Sequence, residues 1–158
     1  MDSGKKTINH VKIRKILPVQ DGYRMPGEYE PHRGCILIWP ERPGSWRNGA
    51  REAKKAFADV IRAIAKSEEV YLAASGKTFS EAEKLAQRLQ TDEALYPIRV
   101  FTAETDDAWA RDVGPTFVTD GQEVRGINWE FNAWGGTEDG LYASWEKDNL
   151  FAPFFCEK

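Results

Sequence analysis

The chain has 158 residues, enough for one modest domain with its own core. Hydrophobic residues make up 41% and charged residues 30%, a globular balance, and a net charge of −3 argues against a nucleic-acid binder, which carries a basic stripe. No apolar run approaches the roughly 20 residues of a membrane helix, and the polar start Met1-Asp2-Ser3-Gly4-Lys5-Lys6 has no signal-peptide stretch behind it.

In chain order, residues 1–21 read as an irregular lead-in. Cys35-Ile36-Leu37-Ile38-Trp39 is a continuous apolar run ended by Pro40 and reads as a buried strand. Two prolines and a glycine make 40–44 a loop. Residues 50–66 are the clearest helix, with Ala53, Phe57, Val60, Ile61 and Ile64 on one face. Val70–Ala74 is the next strand. Thr78 opens a second helix, with Glu81 in capping-box position and Ala82, Leu85, Ala86 and Leu89 as its stripe. Ile98–Phe101 is a third strand. Thr116–Val118 and Val124–Trp129 flank the hairpin signal Asp120-Gly121. Trp145–Leu150 begins another helix, which Pro153 is expected to interrupt. The alternation of strand and helix is an α/β pattern.

Cys35 and Cys156 are the only cysteines. They do not make a disulfide framework, and a reducing cytoplasm is the expected compartment, with a single Cys35–Cys156 bridge as the minor alternative. The six tryptophans are the unusual item; most are expected to pack in or beside the core, and some to line a pocket.

Ser75-Gly76-Lys77-Thr78 resembles the tail of a phosphate-binding loop, but the glycine required five positions before Gly76 is Tyr71, so a turn and helix cap is the better reading. His10 and His32 are too isolated for a histidine-rich metal site, and His32 reads as a structural turn residue. The stretch Thr105-Asp106-Asp107-Ala108-Trp109-Ala110-Arg111-Asp112-Val113-Gly114-Pro115 is the most informative. A carboxylate can accept paired N–H bonds from a planar guanidinium, and an indole face can hold a cation. Trp109 and Asp112 are three residues apart, so one turn presents both. Two other readings stand beside this one: a surface acidic loop closed by Arg111, and a divalent metal on Asp106, Asp107 and Asp112. Phe131-Asn132-Ala133-Trp134-Gly135-Gly136 and Asp139-Gly140-Leu141-Tyr142 form a second aromatic and glycine-rich loop that either walls a pocket or turns the chain.

Taken together, Gly22–His32, Ile38-Trp39-Pro40-Glu41-Arg42-Pro43 with Trp46-Arg47, Asp107–Pro115, Trp129–Gly136 and Asp139–Tyr142 resemble the opening of agmatine deiminases. Bacterial-type peptidylarginine deiminases share the Trp-x-Arg-Asp core. The resemblance implies a pentein fold, an α/β propeller of ββαβ units, of which residues 22–158 would supply roughly the first two of five as part of a single, truncated domain. It also implies a cysteine-dependent, cofactor-free and metal-free hydrolysis of agmatine to N-carbamoylputrescine and ammonia. Asp112 matches the guanidinium-binding aspartate and Trp109 the substrate-contacting tryptophan; Asp107 and Glu41 are secondary candidates. The family's Glu-Gly-Gly, His-x-Asp and glycine-rich cysteine motifs have no counterpart in these residues, and neither Cys35 nor Cys156 qualifies as nucleophile. The fragment alone is therefore expected to be inactive. The expected partner is a small guanidinium compound, with neither nucleic acid nor membrane; homo-oligomerisation is left open. The alternatives are a non-catalytic guanidinium or polyamine-binding module and an arginine or peptidylarginine deiminase relative.

Overall fold

The computed structural model describes residues 17–158; residues 1–16 of the lead-in, and with them His10, lie outside the described residues. The elements are β1 (Gly34–Ile38), α1 (Arg51–Ile64), β2 (Glu69–Ala74), α2 (Phe79–Asp92), β3 (Ile98–Thr102), α3 (Ala110–Val113), β4 (Thr116–Thr119), β5 (Val124–Ile127), α4 (Gly136–Asp139) and α5 (Glu146–Cys156). Strands β1, β2 and β3 form a parallel sheet in that order, and β4 and β5 an antiparallel hairpin.

Both faces of the sheet are covered at the central strand β2, which is why Val70–Ala74 reads as an unbroken apolar run, whereas the edge strand β3 carries the exposed Arg99. The period of two divides β2 between two cores. Val70, Leu72 and Ala74 pack with Ile61, Ala65, Ala82 and Leu89 of the helical layer, together with Trp39. Ala73 points the other way, into a cluster with Ile38, Ala103, Val113, Phe131, Tyr142 and Phe151. That second cluster joins the sheet to α5 and to the loops that carry the site.

The hairpin turns on Asp120, whose Oδ1 accepts the backbone N–H groups of Gln122 and Glu123 at 2.8 Å each, with Gly121 at φ +93°. The segment before β1 is tied to it: Arg24 and Thr119 exchange backbone hydrogen bonds of 2.9 Å, and Arg125 lies 3.8 Å over the Tyr23 ring while pairing with Asp21 at 2.9 Å. Pro18–Asp21 is one turn of 3-10 helix, so the end of the lead-in is ordered against the hairpin.

Several expectations are corrected. Only Ile38 and Trp39 of the first apolar run are buried, and Cys35 is partly exposed, because β1 is an edge strand. Val60 stands at the rim of α1, 45% exposed. The capping box at α2 does not form. Thr78 already has right-handed helical angles (φ −109°, ψ −2°), so its hydroxyl is not aimed at the third N–H, and Glu81 pairs with Lys54 of α1 at 2.6 Å instead. Helix α5 runs through Pro153 to Cys156. An interior proline costs about 3 kcal/mol; here Phe151, Phe154 and Phe155 on either side pack on the second core and offset it. The tryptophans behave as expected: Trp39 is buried, Trp46 packs on Phe57 and Trp109 and Trp145 lie against the second cluster, while Trp129 and Trp134 are more than half exposed. Both cysteines are free thiols. No described helix is long and apolar enough to cross a membrane.

Candidate functional site

Parallel strands place their following loops along one edge of the sheet, the usual location of a binding site in α/β folds. The loops after β1, β2 and β3 meet there. Glu41, after β1, accepts the Ser75 hydroxyl, after β2, at 2.8 Å. The Gly76 N–H donates to Glu104 at 3.0 Å, so the phosphate-loop look-alike spends its glycine amide on a carboxylate.

Asp107 is the anchor between the loops after β1 and β3. It is 4% exposed. Its oxygens accept Trp46 Nε1 at 2.8 Å, the Ala108 N–H at 2.8 Å and the Ser45 hydroxyl. Asp106 caps α5 from outside, taking the Lys147 N–H at 2.9 Å. In return, Asp148 in the first turn of α5 takes the N–H of Asp106 at 2.8 Å and of Asp107 at 3.3 Å. Tyr142 completes this network, donating its hydroxyl to Asp148 at 2.5 Å, with the Arg42 guanidinium 4.3 Å from its ring centre. Burial raises the Asp148 carboxyl above its ordinary value, against the pull of Tyr142 and the two amides. Burial first, and the Asp148 bond second, push the Tyr142 hydroxyl far up.

This framework holds an aromatic wall. Trp46 and Trp109 lie 5.9 Å apart at 33°, Trp109 and Trp134 5.5 Å apart and nearly perpendicular, and Trp134 meets Phe131 edge-on at 5.1 Å. The backbone strains to present Trp134: Ala133 and Trp134 have φ of +53° and +65°, the left-handed region that costs an L-residue about 1–2 kcal/mol. Asn149 fastens this loop to α5 by accepting the Phe131 N–H at 2.7 Å.

Asp112 sits on α3, the one turn expected from the spacing, and its N–H donates to the Trp109 carbonyl at 2.9 Å. Its carboxylate is exposed and makes no hydrogen bond or ion pair among the described residues. Arg111 pairs with Glu28 at 3.0 Å, so it does not close the acidic loop on itself. Asp106, Asp107 and Asp112 do not converge as a metal-ligand set; the first two are committed to amides and side chains. Sequence reasoning gave no role to Asp148 or Ser45, and named Arg42 only as a member of the Trp-Pro-Glu-Arg-Pro motif. Cys35 is the second residue of β1, at the opposite end of the sheet, and Cys156 lies beside Gly126 at the end of α5. Burial raises both thiols above the ordinary range, the opposite of an activated nucleophile. The site therefore offers the free Asp112 carboxylate one turn from an indole wall, a combination that suits a planar cation.

Residues 24–158 match the Porphyromonas-type peptidyl-arginine deiminase family. A Listeria monocytogenes protein provisionally named agmatine deiminase 1 is 50% identical over 139 residues, 87% of this chain and 36% of its own length. The agmatine deiminase of Pseudomonas aeruginosa is 48% identical over 136 residues, 85% of this chain and 35% of its own. The solved structure of the Enterococcus faecalis agmatine deiminase superposes with a TM-score of 0.76 at 41% identity, covering 89% of this chain and 36% of that one. The chain thus spans little more than a third of the length of the curated relatives it matches, and its α/β architecture is theirs over that span.

Proposed function

The chain belongs to the Porphyromonas-type peptidyl-arginine deiminase family, and on that footing we propose that it supplies the guanidinium-binding part of an agmatine deiminase, which hydrolyses agmatine to N-carbamoylputrescine and ammonia. One observation carries the reading: an exposed Asp112 carboxylate without a partner among the described residues, one turn from Trp109, whose buried Nε1 also has no partner among them. In this reading Asp112 accepts two guanidinium N–H bonds and fixes the plane of the substrate. Trp109 meets its cationic face. Asp107 is a positioning residue that acts through Trp46, and Glu41 positions the loop through Ser75. The attacking thiolate and the proton-shuttling histidine come from other residues of the whole protein, since neither thiol described here is activated or faces Asp112.

The test is ureido-product formation from agmatine by the whole protein that contains this chain, with Asp112→Ala beside it. Loss of turnover with an unchanged melting temperature is the expected result; turnover near the unsubstituted level rejects the assignment. The second reading, a guanidinium-binding module without catalysis, predicts calorimetric binding of agmatine to this chain with no product in the whole protein.

A further inference from the structure

At the end of the sheet away from the aromatic wall, His32 Nδ1, Cys35 Sγ and a Glu68 carboxylate oxygen all lie within 4.8 Å of one another. Strand pairing assembles them. In the parallel register Gly34 stands beside Glu69 and Cys35 beside Val70, so the residues just ahead of the two strands become neighbours although 36 positions separate His32 from Glu68. Gly34 permits the close approach, because a Cβ there would lie 2.6 Å from the Glu69 carbonyl oxygen and 2.9 Å from the Tyr71 ring. His32 and Cys35 are separated by two residues, a spacing by which structural metal sites take two ligands from one short segment.

The state of Glu68 points to a missing ligand. Its Oε2 is buried and has no hydrogen-bond partner among the described residues, and His32 Nδ1 stands 3.5 Å away. The Cys35 thiol is a weak donor to Glu68 and the imidazole nitrogen stands at the limit of hydrogen-bond distance, so the carboxylate is poorly compensated for its burial, and a cation would satisfy it. The His32 side chain is 47% exposed, which leaves a way in and room for a water.

We propose that His32, Cys35 and Glu68 form a three-ligand site for a thiophilic divalent cation, zinc foremost, with water in the fourth position. Magnesium and calcium prefer oxygen throughout, whereas one nitrogen, one sulfur and one oxygen suit zinc or cobalt. On binding, the metal takes the imidazole nitrogen, the carboxylate oxygen and the sulfur, and the thiol proton leaves to solvent. The ion would fasten β1 to β2 where the sheet begins, and the proposal is independent of the guanidinium site.

Cobalt(II) titration of the chelator-treated, reduced chain tests it. Expected are a sulfur-to-cobalt charge-transfer band and tetrahedral d–d bands saturating at one equivalent and erased by zinc, with one proton released per zinc bound. Cys35→Ser removes the charge-transfer band and Cys156→Ser keeps it. His32→Ala and Glu68→Gln weaken binding by at least about tenfold; His32→Ala changes an exposed side chain and keeps the test available if Cys35→Ser disturbs folding. A band that survives Cys35→Ser, affinities unchanged in both other variants, or only a weak octahedral spectrum, an adventitious ion only, overturns the site.

Discussion

Trp46 Nε1 donates to Asp107 Oδ1 at 2.8 Å across 61 positions of chain, and this bond fixes the loop after β1 against the loop after β3. It also sets the distance between the Trp46 and Trp109 rings. Asp107→Ala leaves an indole N–H, the Ala108 amide and the Ser45 hydroxyl without their acceptor, so a loss of about 2–4 kcal/mol is expected in urea unfolding. Asp107→Asn keeps one acceptor and should lose less than half as much. Equal losses in the two variants would mean that volume, not hydrogen bonding, holds the loops.

Trp134 offers a test in which glycine and alanine part company. Its φ of +65° is unfavourable for any residue with a Cβ. Trp134→Gly and Trp134→Ala both lose the ring contacts with Trp109 and Phe131, but the glycine variant sheds the backbone strain and should be more stable than the alanine variant by about 1 kcal/mol. Thermal melts of the pair decide it, and the reverse order would mean that the loop relaxes out of the left-handed region.

Phe151 is 1% exposed and stands where the sheet, α3 and α5 converge. Phe151→Ala should cost about 3–5 kcal/mol in chemical denaturation, and Phe151→Leu roughly 1 kcal/mol. A small loss for the alanine variant would show that α5 closes over the cavity.

Acid should loosen the segment ahead of β1. Hydrogen bonds from Arg24 first, then the Gly27 N–H, lower the Glu30 carboxyl from 4.5 to about 2. A depressed carboxyl pKa stabilises the folded state above the unfolded value and loses that contribution as pH falls through the folded one. The contribution is thus complete above pH 4.5, declines below it and is gone near pH 2. Glu30→Gln should flatten the melting-temperature profile over that window and leave it parallel to the unsubstituted chain at neutral pH.

Local patterns were readable in the sequence because they depend on neighbours. The three parallel strands, both long helices, the Asp120-Gly121 turn and the single turn joining Trp109 to Asp112 follow from periodicity and spacing. What was not readable depends on pairs far apart. Asp148 looks like an ordinary acid in the first turn of a helix, and only the amides of Asp106 and Asp107, 42 and 41 positions back, reveal it as a buried acceptor. The Thr78–Glu81 box fails because Thr78 already has helical angles, and Glu81 pairs instead with Lys54, 27 positions upstream. Pro153 is tolerated through aromatic packing that no local rule records. His32 gains its carboxylate neighbour, Glu68, from strand register alone.

The row of indoles at the site also makes it optically legible. Trp46, Trp109 and Trp134 form a chain of rings with neighbouring centres within 5.9 Å of each other, close enough for their excited states to couple and pass energy along the row. Light absorbed by any of the three would therefore report on the aromatic wall, and a cation settling against Trp109 would alter the emission of all three without any label being attached.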